Sequence, residues 1–118
     1  MAKGEYTHIE IPADDPERAS KFYAAVFGWE PKASERMPTY HVYRTPNVGG
    51  GIGKRGVTAG NVIRNYIVVD SLAEGRKAVE THGGKVIGEA TTLPGMGSYL
   101  VVHDSEGNEI ALWEDAAS

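Results

Sequence analysis

Four histidines, sixteen acidic residues and no cysteine set the side-chain chemistry open to this 118-residue chain. The absence of a thiol excludes cysteine nucleophiles, thiolate metal sites and disulfides. What remains is imidazole, carboxylate and guanidinium, and an imidazole and a carboxylate come close together early in the chain. From Tyr6 to Ile11, the side chains of Tyr6, His8 and Glu10 alternate with Thr7, Ile9 and Ile11. This is the period-two pattern of a half-buried strand, so His8 and Glu10 share one face. There His8 could act as a general base or a ligand contact, and Glu10 as a proton acceptor or as the partner that orients His8. The plain alternative for His8 is a histidine hydrogen-bonded within a half-polar sheet face.

The elements that must position these groups follow in order. Asp14-Asp15-Pro16-Glu17 offers an N-cap followed by proline, and Ala19, Phe22, Tyr23, Val26 and Phe27 recur at helical spacing before Gly28. Strands are expected at Trp29–Lys32, at Tyr40–Thr45 and, within a glycine-rich stretch, around Gly50–Lys54. A β-branched run, Arg64–Val69, then leads into Asp70-Ser71 and a helix carrying Leu72, Ala78 and Val79, which ends at His82-Gly83-Gly84. Lys85–Gly88, Tyr99–His103 and Glu109–Trp113 supply three more strands, the last two joined by a hairpin turn at Asp104–Asn108. Each half reads βαβββ.

A constant offset of 56 residues puts His8 on Arg64, Asp14 on Asp70 and Gly28 on Gly84, aligning strand, cap and helix end together. The expectation is one α+β domain over residues 1–118, with modules at about 4–56 and 61–115. Each module would carry its helix on the outside, and the two would form a cup-shaped, incompletely closed mixed sheet. A cup is a natural ligand site. Tyr66, Tyr99 and Trp113 would line it as flat apolar walls, or serve as plain core. His41 joins them as a second-rank ligand candidate, because either face is open to its strand. His82, before two glycines, suits a helix C-terminus, where it would interact favourably with the dipole. His103 precedes the turn at Asp104 and is expected at the sheet rim. Gly51-Ile52-Gly53-Lys54-Arg55-Gly56 spells GxGxxG, yet no helix opens after it, so a flexible link is expected rather than a phosphate cradle. Pro94-Gly95-Met96-Gly97 reads as a lid at the cup mouth or an ordinary turn.

The segment from His8 to Trp29 resembles the strand-helix opening of small proteins of the vicinal-oxygen-chelate superfamily, which includes glyoxalase I, extradiol dioxygenases, and bleomycin and fosfomycin resistance proteins. Val68-Val69-Asp70, Gly83-Gly84-Lys85-Val86 and Asp104–Ile110 are similar to later landmarks of that superfamily. The resemblance implies four cup-facing metal ligands, two from each half. Of the implied positions, only the first, His8, holds a ligand type. The second falls near Gly50 to Ile52, the third on Arg64 and the fourth on Ala111. Arginine stays protonated and has no lone pair for a cation, and glycine and alanine offer no side-chain ligand. Arg64 instead offers a cationic fork for a carboxylate or phosphate on a ligand, or a salt bridge to Glu10 that stands in for the missing metal.

The resulting expectation is a metal-free small-molecule-binding protein with no cofactor, whose ligand is held by Arg64, His8 and the aromatic residues. The alternative is an enzyme of lyase, isomerase or dioxygenase type, with a divalent metal or with His8 or Glu10 as a general base. A third possibility is an interaction module whose cup is filled by side chains. A net charge of −4 and scattered Lys and Arg residues disfavour nucleic acid as a partner. The start of the chain has no apolar signal-like run, and no segment approaches the roughly 18 apolar residues of a membrane span. A cytoplasmic homodimer is expected, since open sheet edges are commonly covered by a partner.

Overall fold

The computed structural model describes residues 1–117 and comprises two compact units, one from His8 to Arg64, the other made of Met1–Thr7 and the chain from Asn65 onward. The elements of the first half are β1 (Tyr6–Ala13), α1 (Pro16–Phe27), β2 (Lys32–Ala33), β3 (Tyr40–Arg44) and β4 (Gly49–Lys54). Those of the second are β5 (Arg64–Val68), α2 (Leu72–Thr81), β6 (Lys85–Val86), β7 (Thr91–Leu93), β8 (Gly97–His103) and β9 (Glu109–Asp115). This is an α+β fold in which βαβββ occurs twice, with β7 as an extra strand.

The two halves share one topology. In the first, the strand order is β2-β3-β4-β1, with β4 antiparallel to β3 and parallel to β1. In the second it is β6-β8-β9-β5, with β9 antiparallel to β8 and parallel to β5, and β7 pairs with β8. The start of the chain belongs to the second unit because it laces onto β5: Gly4 N–H donates to Val68 O at 2.8 Å and Val68 N–H to Glu5 O at 2.9 Å.

The helices begin and end where local chemistry places them. Asp15 caps α1, its Oδ1 accepting from Glu17 N at 3.1 Å and Arg18 N at 3.2 Å, with Pro16 in the first turn. Gly28 closes α1 at φ 75°, a left-handed conformation that costs glycine little. Helix α2 starts at the Ser71 cap, and Glu114 Oε1 accepts from Leu72 N at 2.7 Å, so a β9 side chain satisfies a first-turn donor.

Each sheet buries one face under its own helix. Ile11, Ala13, Tyr43 and Ile52 form the first core, with Ala19, Tyr23 and Trp29 packed on it. Leu100, Val102 and Leu112 form the second, covered by Val69, Leu72, Val79, Val86 and Ile110. The inward face of α1 differs from the apolar positions marked by its periodicity. Pro16 and Ser20 are buried and Ala19 and Tyr23 meet the core, whereas Phe22, Val26 and Phe27 are exposed. Trp29 lies outside the strand expected for it, its ring stacked on Tyr43 at 4.2 Å, and β2 is confined to Lys32–Ala33, where the chain pairs with β3. Strand β7 was not expected from the sequence. Leu93-Pro94-Gly95-Met96 turns it back into β8, with Met96 N bonded to Leu93 O at 3.0 Å and Gly95 at φ 76°. Proline second and a positive-φ glycine third is a type II turn pattern, so Pro94–Gly97 is a hairpin connection.

Candidate functional site

The chemistry collects on the first sheet's face opposite α1. Strand register pairs His8 with Gly49 and Glu10 with Gly51 across β1 and β4, and Tyr40 with Gly53 across β3 and β4. Since Ile11, Tyr43 and Ile52 point toward α1, the alternation of side chains puts His8, Glu10 and Tyr40 on the opposite face. There β4 contributes only Gly49, Gly51 and Gly53, leaving a strand without side chains between β1 and β3.

Tyr40 crosses that bare strand. Its hydroxyl lies 2.8 Å from His8 Nε2 and donates to Glu10 Oε1 at 3.3 Å, and its ring runs parallel to the His8 imidazole. The other oxygen of Glu10, Oε2, accepts from Arg64 NH1 at 3.4 Å. The array thus runs His8, Tyr40, Glu10, Arg64. Tyr40 and Glu10 are buried, and the Arg64 and Glu10 side chains are 15% and 9% exposed. An ion pair this dry is held in place by its own hydrogen bonds, because removing one member would strand a buried charge. Burial also lowers the pKa of His8 from 6.5 to about 4, so the imidazole is neutral at pH 7.

Sequence reasoning named His8, Glu10 and Arg64 as candidates and raised the Arg64–Glu10 salt bridge, which the structure forms. It missed Tyr40. The signal lay in the glycines of β4: a Cβ on Gly51 would overlap the Tyr40 phenol, so the missing side chain on one strand is what admits the large one from its neighbour. The duplication carries the same signal. In the second sheet Tyr99 pairs with Trp113 and Tyr66 with Ala111, so by register Tyr99 is the counterpart of Tyr40, Tyr66 of Glu10 and Ala111 of Gly51.

The remaining candidates are placed by their own elements. Tyr66, Tyr99 and Trp113 occupy the face of the second sheet opposite α2, where the Tyr66 and Tyr99 rings meet edge to face at 5.4 Å. Trp113 donates from Nε1 to Asp115 Oδ1 at 2.8 Å. His41 stands on the α1 side of its sheet, away from the His8 array, beside a groove of about 390 Å³ that Trp29 and Glu30 also line. His103 pairs with Glu109 at the end of β8, and His82 caps the C-terminus of α2. The GxGxxG stretch starts within β4 and turns back at Gly56 with no helix after it.

Comparison with known proteins agrees with this architecture. The family model of the Glyoxalase/Bleomycin resistance protein/Dioxygenase superfamily matches residues 6–112. A glyoxylase-like domain-containing protein of Didymella fabae is 33% identical over 118 residues, covering 92% of each chain. Among solved structures, a hypothetical protein from Bacillus halodurans C-125 superposes with a TM-score of 0.75 at 15% identity, covering 99% of this chain and 98% of that one. A superfamily member from Vibrio splendidus 12B01 superposes at 0.70 with 13% identity, covering 95% and 99%. The chain belongs to the Glyoxalase/Bleomycin resistance protein/Dioxygenase superfamily.

The residues present do not fit the divalent metal that this family implies. Register places Gly51 opposite Glu10 as Ala111 stands opposite Tyr66, which fixes the second implied ligand position on a glycine. The space beside it is filled by Tyr40. Glu10 already carries a guanidinium, and a second cation there would meet like charge. Among the described residues, no group of three or more His, Cys, Asp or Glu side chains is placed to hold a metal ion. No helix among the described residues is long and apolar enough to cross a membrane.

Proposed function

We propose that this protein binds a small molecule without a metal, at the array of His8, Tyr40, Glu10 and Arg64, and that Arg64 draws an acidic group on the ligand. The observation that carries this reading is the buried ion pair between Arg64 and Glu10 at 3.4 Å, a cation supplied by the chain itself. Guanidinium groups hold carboxylates and phosphates through paired N–H donors, so a ligand of that type suits the site. In this proposal the protein works in the cytoplasm as a homodimer, and a monomer at micromolar concentration in light scattering would contradict the dimer.

The test has two parts. Elemental analysis of untagged protein, incubated with zinc, nickel, manganese or ferrous iron and freed of excess ion, is expected to find no retained metal. Near-stoichiometric retention abolished by His8→Ala would overturn the metal-free reading. Thermal unfolding with a panel of small carboxylates and phosphates is then expected to reveal a stabilising ligand, worth about 2.7 kcal/mol at a hundredfold excess over Kd. Arg64→Lys, which keeps the charge but loses the fork, is expected to weaken that stabilisation.

A second reading, a metal-free enzyme with His8 as general base, is favoured by one observation. The imidazole is unprotonated at pH 7, the form a general base starts from, and burial at the same time makes it a weak base. Turnover of a bound ligand, lost in His8→Gln while binding persists, would select it.

A further inference from the structure

The groove of about 390 Å³ beside His41 has the size of a small-molecule cleft, and it lies on the α1 side of the first sheet, opposite the face that carries the His8 array. One wall is α1. Helical spacing sets Ser20 and Ala24 in one row and Glu17 and Lys21 in the next, and burial orders the rows: Ser20 is buried and Ala24 half-buried, whereas Glu17 and Lys21 are exposed. The other wall is the chain that leaves α1, Trp29-Glu30-Pro31, and His41 of β3 completes the lining.

The apolar wall of this groove is fixed before anything enters it. The Trp29 ring stacks on Tyr43 at 4.2 Å and on Tyr23 at 5.0 Å, and Tyr43 is buried, its hydroxyl donating to Ile9 O at 2.8 Å. A wall held this way leaves little ordering cost for a docking ligand. The charges along the groove do not balance. Glu17 and Lys21 stand one turn apart on the same row and offset each other, which leaves the Glu30 carboxylate, set between Trp29 and Pro31, as the surplus charge. Among the described residues Glu30 forms no ion pair and the His41 imidazole makes no hydrogen bond.

We propose that this groove binds a small organic amine with an apolar body, its ammonium at Glu30 and its body along Ala24, Trp29 and Pro31. A carboxylate beside fixed apolar surface selects that class, because an anion would meet like charge and a neutral molecule would leave Glu30 without a partner. This site is separate from the anion-binding array and does not rest on that reading.

The test is a titration of the ¹⁵N-labelled full chain with phenethylamine, followed in proton–nitrogen correlation spectra, with phenethyl alcohol and hydrocinnamate as neutral and anionic probes of similar shape. Phenethylamine is expected to shift the Ala24 amide and the Trp29 Nε1–H signals. It is expected to bind about fivefold more tightly than the alcohol and about tenfold more tightly than the carboxylate. Glu30→Gln, at an exposed position, is expected to fold as the wild type does and to bind the amine and the alcohol alike. An amine preference that survives Glu30→Gln, or equal binding of all three probes by the wild type, overturns the ammonium assignment. No shift at Ala24 or Trp29 with any probe at millimolar concentration overturns the groove as a site. Shifts confined to His8 and Tyr40 place the amine on the other face of the sheet and overturn the proposal as well.

Discussion

Acidification should destabilise this protein through His8, and the size of the effect follows from the site. The imidazole pKa falls from 6.5 to about 4 because burial penalises the charged ring. Above pH 6.5 the ring is neutral in folded and unfolded chains alike, and it contributes no pH dependence. Between 6.5 and about 4 the unfolded chain binds a proton that the folded chain refuses, so stability drops as pH falls. Below about 4 both states are protonated and the loss levels off. A depression of this size corresponds to about 3 kcal/mol at the upper end, a large share of the 5–15 kcal/mol typical of a domain. The comparison to make is wild type against His8→Gln, whose amide can still hydrogen-bond Tyr40 but does not titrate. Urea unfolding followed by tryptophan fluorescence, from pH 7.5 to pH 4, should show the wild type losing about 3 kcal/mol more than the variant over that window. Parallel curves would refute the reasoning, as would a folded-state titration of His8 near 6.5 by NMR.

Gly51→Ala should displace the Tyr40 phenol and destabilise the fold by about 1–3 kcal/mol, and in the Tyr40→Ala background the same substitution should cost much less; denaturant midpoints of the four proteins measure this. Arg64→Met leaves the Glu10 carboxylate buried without its cation and should cost about 3–5 kcal/mol, whereas Arg64→Met with Glu10→Gln should recover much of the loss in the same assay. Asp15→Ala removes the acceptor for two α1 backbone donors and should cost about 1 kcal/mol in thermal unfolding, with ligand affinity unchanged because α1 lies on the other face of the sheet.

The repeated order of elements, the helix caps and the shared face of His8 and Glu10 were legible in the sequence because local rules produce them. Alternation puts His8 and Glu10 on one face whatever else the chain does, and Asp15-Pro16 and Gly28 bound α1 through backbone geometry that needs no distant partner. The missing ligand types at Gly50 to Ile52, Arg64 and Ala111 were likewise visible as residue identities. What tertiary structure alone decided is that Tyr40 joins His8 and Glu10. Tyr40 lies 30 residues from Glu10 and 32 from His8, and nothing in its own strand says that β4 will be bare beside it. The face of His41 followed from the register of β3 on β4, since a one-residue slip would exchange the two faces. The exposure of Phe22, Val26 and Phe27 followed from which side of α1 packs on its sheet, that of Pro16, Ala19, Ser20 and Tyr23. Periodicity and capping are properties of neighbours in the chain, whereas the array is made of long-range contacts, and those depend on where one glycine-lined strand lets a side chain from its neighbour cross.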